Sequence, residues 1–158
     1  MFKDKKGQTL VEFALLAPLF FILIFGMVDL GWMFYVNLTM QHAVREGARY
    51  AVTGRSDLGK DRRDALIQKI RAASMGLYDK NLHEPKDPRV AVLSPGDLSF
   101  DNYTGSAAQG DPGAKDDIIV VSLTYTCPLL TSVLKPFISG GEYTFTVKST
   151  MTNEPFEF

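Results

Sequence analysis

The dominant pattern in this chain is an apolar run close to the N-terminus. From Phe13 to Val28, sixteen consecutive residues carry neither a charged nor a hydrogen-bonding polar side chain. Past Asp29 the run resumes with Leu30, Trp32, Met33, Phe34, Tyr35 and Val36, so that Leu10–Val36 spans 27 residues. About 20 apolar residues suffice to cross hydrocarbon. The pattern predicts a membrane-spanning helix.

Lys3, Lys5 and Lys6 before an apolar run also describe a removable secretory signal. The run is about twice the usual ~7–15 residues of such a signal, and no small-x-small site closes it. A retained anchor is the preferred reading. The expected organisation is a leader over 1–7, a transmembrane helix over 8–36 and an exported domain over 37–158.

Helical patterning continues beyond the apolar run. Ala43, Gly47 and Ala51 fall four apart on one stripe, while Gln41, Arg45 and Arg49 occupy another. One helix is therefore expected from about Thr9 to Thr53, 45 residues or about 68 Å. Pro18 removes one donor inside it and predicts a kink or a weakened turn at the Ala14 carbonyl. Ser56 or Asp57 is the candidate cap of a second helix, with Leu66, Ile70, Ala73 and Leu77 at helical spacing and Gly76 at its stop. Strands are expected at Arg89–Leu93, at Ile118–Thr126 and at Tyr143–Met151. In the second, Ile119, Val121, Leu123 and Tyr125 share a face. In the third, Tyr143, Phe145, Val147 and Met151 oppose Thr144, Thr146, Lys148 and Thr150. Gly105–Asp117, rich in Gly, Asp and Ala, reads as an exposed loop. The fold class is α+β: a long N-terminal helix packed on a small antiparallel sheet, with one additional helix.

Composition narrows the function. At 158 residues the chain suits one domain and an appendage. A net charge of −1 leaves no basic surplus to neutralise phosphates, which argues against nucleic acid. Cys127 stands alone, so there is no internal disulfide and no thiolate cluster. At the end of an apolar strand it reads as a buried small hydrophobe, with an intermolecular thiol as the alternative. His42 and His83 are isolated from any metal-binding or triad-like spacing. Asp97, Asp101, Asp111, Asp116 and Asp117 do not match a calcium loop and read as solvated. The mixed charges from Lys60 to Arg71 read as a solvated helix face. No catalytic, cofactor-binding or metal-binding residue is identified, and an enzyme is not expected.

Two acids interrupt the apolar segment. Glu12 and Asp29 are 17 residues apart, or about 26 Å along a helix, close to the ~30 Å thickness of hydrocarbon. Both therefore fit opposite interfaces, with Trp32 and Tyr35 at the level of an aromatic belt. Interfacial placement is preferred for Asp29 over a dedicated partner in the membrane. Glu12 followed by Phe13 is either a snorkelling interfacial acid or a functional charge. The stripe Ala43, Gly47, Ala51 packs either on the protein's own sheet, the preferred reading, or on another subunit.

The segment Gly7–Gly31, GQTLVEFALLAPLFFILIFGMVDLG, resembles the start of a type IV prepilin, and more specifically the TadE-like minor pilins or pseudopilins of the tight-adherence (Tad) pilus. A short basic leader ending in Gly7, and Glu12 five residues later in an apolar helix, carry the likeness. The block AVREGARYAV (Ala43–Val52) and the TMTNE ending near Glu154 extend it. The resemblance implies cleavage between Gly7 and Gln8 by a membrane prepilin peptidase. It also implies pairing of the freed Gln8 amine with Glu12 of a neighbouring subunit, with Phe13 beside it. Partners would be membrane lipid, the peptidase, and other Tad pilins and assembly proteins. Positive-inside counting is a tie, because Arg45, Arg49 and Arg55 balance the three lysines. The resemblance favours a cytoplasmic N-terminus and a periplasmic domain in a bacterial inner membrane. The competing functions are an uncleaved scaffold of the same apparatus and an anchored periplasmic binding domain.

Overall fold

The computed structural model describes residues 5–55, 57, 61–81, 87–93, 112–131, 133, 135, 138 and 141–155. The order of elements is α1 (Lys5–Ala51), α2 (Arg62–Ala73), α3 (Leu77–Asn81), β1 (Arg89–Leu93), β2 (Ile118–Pro128) and β3 (Glu142–Thr152). The fold is α+β, with a long apolar N-terminal helix and a three-stranded antiparallel sheet in the order β1-β2-β3.

The helix α1 is one element of 47 residues that continues through Pro18. The chain divides into two compact units, and α1 contributes to both. The first comprises Met1–Phe34 with Pro128–Tyr143, the second Tyr35–Cys127 with Thr144–Phe158. That a segment between β2 and β3 groups with the N-terminal helix was not expected from the sequence.

In the second unit, β1 and β2 pair antiparallel with Val90 opposite Val121 and Val92 opposite Ile119. Ile119, Val121, Leu123, Tyr125 and Cys127 turn inward from β2 and are essentially inaccessible. Alternation on a half-buried sheet requires this period of two. Between β2 and β3, Thr124 bonds Thr146 at 2.8 Å and Thr126 bonds Thr144 at 2.9 Å, hydroxyl to hydroxyl. Tyr125 meets Phe145 edge to face at 4.5 Å. Of the four residues expected to share one face of β3, Tyr143 is exposed, Phe145 and Met151 are half-buried and Val147 is buried.

Three local expectations are corrected. Asp61 caps α2, its carboxylate accepting from the Asp64 amide at 2.7 Å. Asp57 lies four residues before that cap, and its carboxylate instead accepts from the Tyr50 hydroxyl, which holds that group below the usual carboxylate range. Ser56, the other candidate, lies outside the described residues. α2 closes at Ser74, and the positive φ of Met75 and Gly76 turns the chain, so Leu77 opens α3 instead of ending α2. Finally, Arg62 does not lie on a solvated face. It is 5% exposed, donating to the Ala51 carbonyl at 2.9 Å and to the Gly113 carbonyl at 2.5 Å. An arginine fork suits this work, since the last carbonyls of α1 lack partners within the helix.

The loop before β2 is likewise held from both sides where it is described. Asn153 Nδ2 donates to the carbonyls of Pro112 (2.9 Å) and Ala114 (2.7 Å), and the Asn153 amide donates to that of Asp117 (2.8 Å). The reading of Gly105–Asp117 as an exposed loop holds at Ala114, Lys115 and Asp116, which are exposed, while Pro112 is buried; residues 105–111 lie outside the described residues.

Candidate functional site

Among the described residues one helix is long and apolar enough to cross a membrane. Its most apolar 18-residue window has a mean hydropathy of 2.4 and no buried residue. Side chains that no part of the chain covers follow one another along it: Leu15, Leu16, Leu19, Phe20, Phe21, Leu23 and Met27 are all more than half exposed. In water such a surface would be costly. In lipid it is the expected one.

The two acids of this helix differ sharply. Glu12 is exposed, and among the described residues its carboxylate has one hydrogen bond, from Gln8 Nε2 at 3.0 Å one turn earlier. Phe13 beside it is 70% exposed. Asp29 is fully buried. One carboxylate oxygen accepts from the Thr131 amide at 2.8 Å, the other from the Thr131 hydroxyl at 2.5 Å. Two donors from one residue bracket the charge, as a buried carboxylate requires. Asp29 thus has a dedicated partner within its own chain, which the preference for a merely interfacial acid did not anticipate. The partner is 102 residues away in sequence. Its only signal there was a threonine set among Leu129, Leu130 and Val133.

Gly7 is exposed, and a Cβ built on it meets nothing within 4 Å. Packing therefore gives no reason for glycine at this position. Gly47 is the opposite case: a Cβ there would stand 2.4 Å from Ile70 Cγ1 and 3.3 Å from the Leu66 carbonyl oxygen. Ala43 and Ala51, on the same stripe, are fully buried. At Gly47 the stripe meets α2 and not the sheet. Trp32 is half-buried, while Tyr35 is 48% exposed and its hydroxyl donates to Met75 Sδ at 3.8 Å.

The remaining polar groups assemble no reaction centre in the described part of the chain. His42 is exposed, and His83, Asp97, Asp101 and Asp111 lie outside the described residues. No group of three metal-ligating side chains occurs among the described residues. Asp117 is occupied by the Ala114 amide at 2.8 Å. Cys127 is buried.

No curated protein and no solved structure significantly matches the chain. A family model does, over the helix just described. Residues 7–49, which lie within the apolar N-terminal helix, match the family model described as TadE-like protein.

Proposed function

We propose that this chain is a minor pilin or pseudopilin that takes part in assembly of a Tad-type pilus. A prepilin peptidase cuts it after Gly7, and the helix over residues 8–36 then holds it in the inner membrane with residues 37–158 outside the cytoplasm. The observation that carries the proposal is the contrast between its two helix acids. Asp29 accepts two hydrogen bonds from Thr131 of the same chain, whereas Glu12 faces outward from an apolar helix with a side-chain amide beside it. A carboxylate in that setting costs free energy until a cation reaches it. Cleavage after Gly7 creates such a cation, the Gln8 amine, one helical turn from Glu12 and available to a neighbouring subunit. Opposite charges in a low dielectric attract strongly enough to set axial register. The openness around Gly7 supports the cleavage step, since neither packing nor backbone conformation explains a glycine there. The matched family segment also begins at this residue.

The test is Glu12→Leu in cells that make the pilus. The variant is expected to insert, to be cleaved and to accumulate normally, yet to leave piliation lost. Glu12→Asp, one methylene shorter, is expected to be intermediate. Wild-type piliation with Glu12→Leu would show that the acid has no role in assembly.

A further inference from the structure

We propose that the turn between α2 and α3 touches the bilayer through Met75, which rests on phospholipid beside Tyr35. The proposal depends on the reading of residues 8–36 as a membrane span. Tyr35 stands one residue before the end of that span, at the level where aromatic rings gather at the edge of hydrocarbon. Its hydroxyl donates to Met75 Sδ at 3.8 Å, and both residues belong to the same compact unit. Long side chains on a helix lean toward its N-terminus, which for α1 is the membrane end. The hydroxyl that meets Met75 is therefore held no farther from the bilayer than the backbone of Tyr35.

The exposed apolar surface of this unit is confined to the same place. Among its described residues, the large hydrophobic side chains left exposed are Tyr35, Leu38 (63%) and Met75 (78%). Leu38 follows Tyr35 by three residues, so the two are neighbours on the helix surface. Met75 joins them through the Tyr35 hydroxyl. Exposed methionines scattered singly are ordinary on soluble proteins. Here the exposed apolar side chains described in a whole unit gather where its helix leaves the span, and this selects lipid over a soluble partner as their occupant.

The backbone gives an independent reason for a role at Met75. Its φ is 52°, in the left-handed region, ahead of Gly76 at 82°. Residues other than Gly, Asn and Asp seldom adopt that conformation, and the exposure of Met75 shows that packing within the chain does not demand a methionine. A large side chain kept in a strained backbone position points to a use for it. The flexible, polarizable thioether suits the uneven boundary between headgroups and acyl chains. Lys80, exposed five residues on, supplies a cation for headgroup phosphates, while Arg71 is paired with Asp79 at 3.6 Å.

Collision accessibility of spin labels tests this in the full chain, reconstituted in bilayers of phosphatidylethanolamine and phosphatidylglycerol. In a Cys127→Ala background, single labels are placed through Met75→Cys, Leu19→Cys as the lipid reference and Gln68→Cys as the aqueous one. Each is challenged with oxygen, which partitions into lipid, and with a water-soluble nickel chelate. The oxygen-to-nickel ratio at position 75 is expected to lie several-fold above that at 68 and below that at 19. A ratio at 75 equal to that at 68, with position 19 still in lipid, overturns the contact at Met75 and leaves the span intact. A ratio at 19 equal to that at 68 overturns the span, and the contact with it. A label at 75 shielded from both reagents would mean a protein neighbour in place of lipid and would equally overturn the proposal.

Discussion

Arg62 and Asn153 join the end of α1, the start of α2 and the loop before β2 through side chains bonded to backbone carbonyls. Arg62 serves Ala51 and Gly113, and Asn153 serves Pro112 and Ala114. Hydrogen bonds from a charged donor contribute more than neutral ones. Arg62→Met, which keeps the aliphatic stem, is expected to lower stability by roughly 2–3 kcal/mol. Chemical denaturation in detergent measures this. Neither residue was legible beforehand, because Arg62 stands in a run of mixed charges and no periodicity marks a buried arginine. The tyrosines give a pH signature. Burial, with the Asp87 carboxylate nearby, pushes the Tyr78 hydroxyl up to about 12 from an ordinary 10.0. Burial raises Tyr125 in the same direction. The folded state therefore holds these protons more tightly than the unfolded chain. Their contribution is complete below pH 10 and is lost as the pH climbs toward 12. Tyr78→Phe is expected to flatten that loss in thermal melts taken across the alkaline range. Tyr125→Phe removes a buried hydroxyl that has no hydrogen-bond partner among the described residues, and is expected to leave the melting temperature unchanged or raise it.

The elements themselves were largely legible. β1 occupies the expected residues, and β2 and β3 run at most two residues beyond their expected ends. Alternation of period two marks a half-buried strand wherever the polar face carries threonines, as on β3. The caps of α2 were misread for a physical reason: several acids precede the helix, and which of them caps depends on what else each one bonds. Asp57 accepts from Tyr50, and Asp61, directly before the helix, receives the Asp64 amide. The stripe on α1 was legible as a packing face, but its partner was not, since small residues accept a helix or a sheet alike. Gly47 now has a specific reason. Gly47→Ala places a methyl against Ile70 and is expected to cost about 1–3 kcal/mol. Ile70→Val in the same chain, which trims the crowded branch, is expected to recover part of that loss. Denaturation of the single and double variants measures both values. Ion pairs such as Lys69–Glu46, at 3.9 Å and partly exposed, are expected to add little.

For the whole molecule, one N-terminal segment carries most of the functional information. The family match covers residues 7–49, and the TMTNE ending lies outside it. Within that ending Asn153 has a structural task, anchoring the loop before β2. The Asp29–Thr131 pairing could not be read from sequence, because long-range pairing of one polar residue in each of two apolar stretches leaves no periodic trace. The spacing of Gly7 and Glu12 is local and can be read directly in the sequence, and the roles given to them are those proposed above. The central claim is that Gly7 ends a leader removed by a prepilin peptidase, freeing the Gln8 amine for Glu12 of a neighbour. Intact mass spectrometry of the protein, extracted from membranes that co-express the cognate peptidase, tests it most directly. The expected product begins at Gln8, seven residues shorter than the translated chain. A product that still begins at Met1 or Phe2 would contradict the claim and leave an uncleaved membrane scaffold in its place.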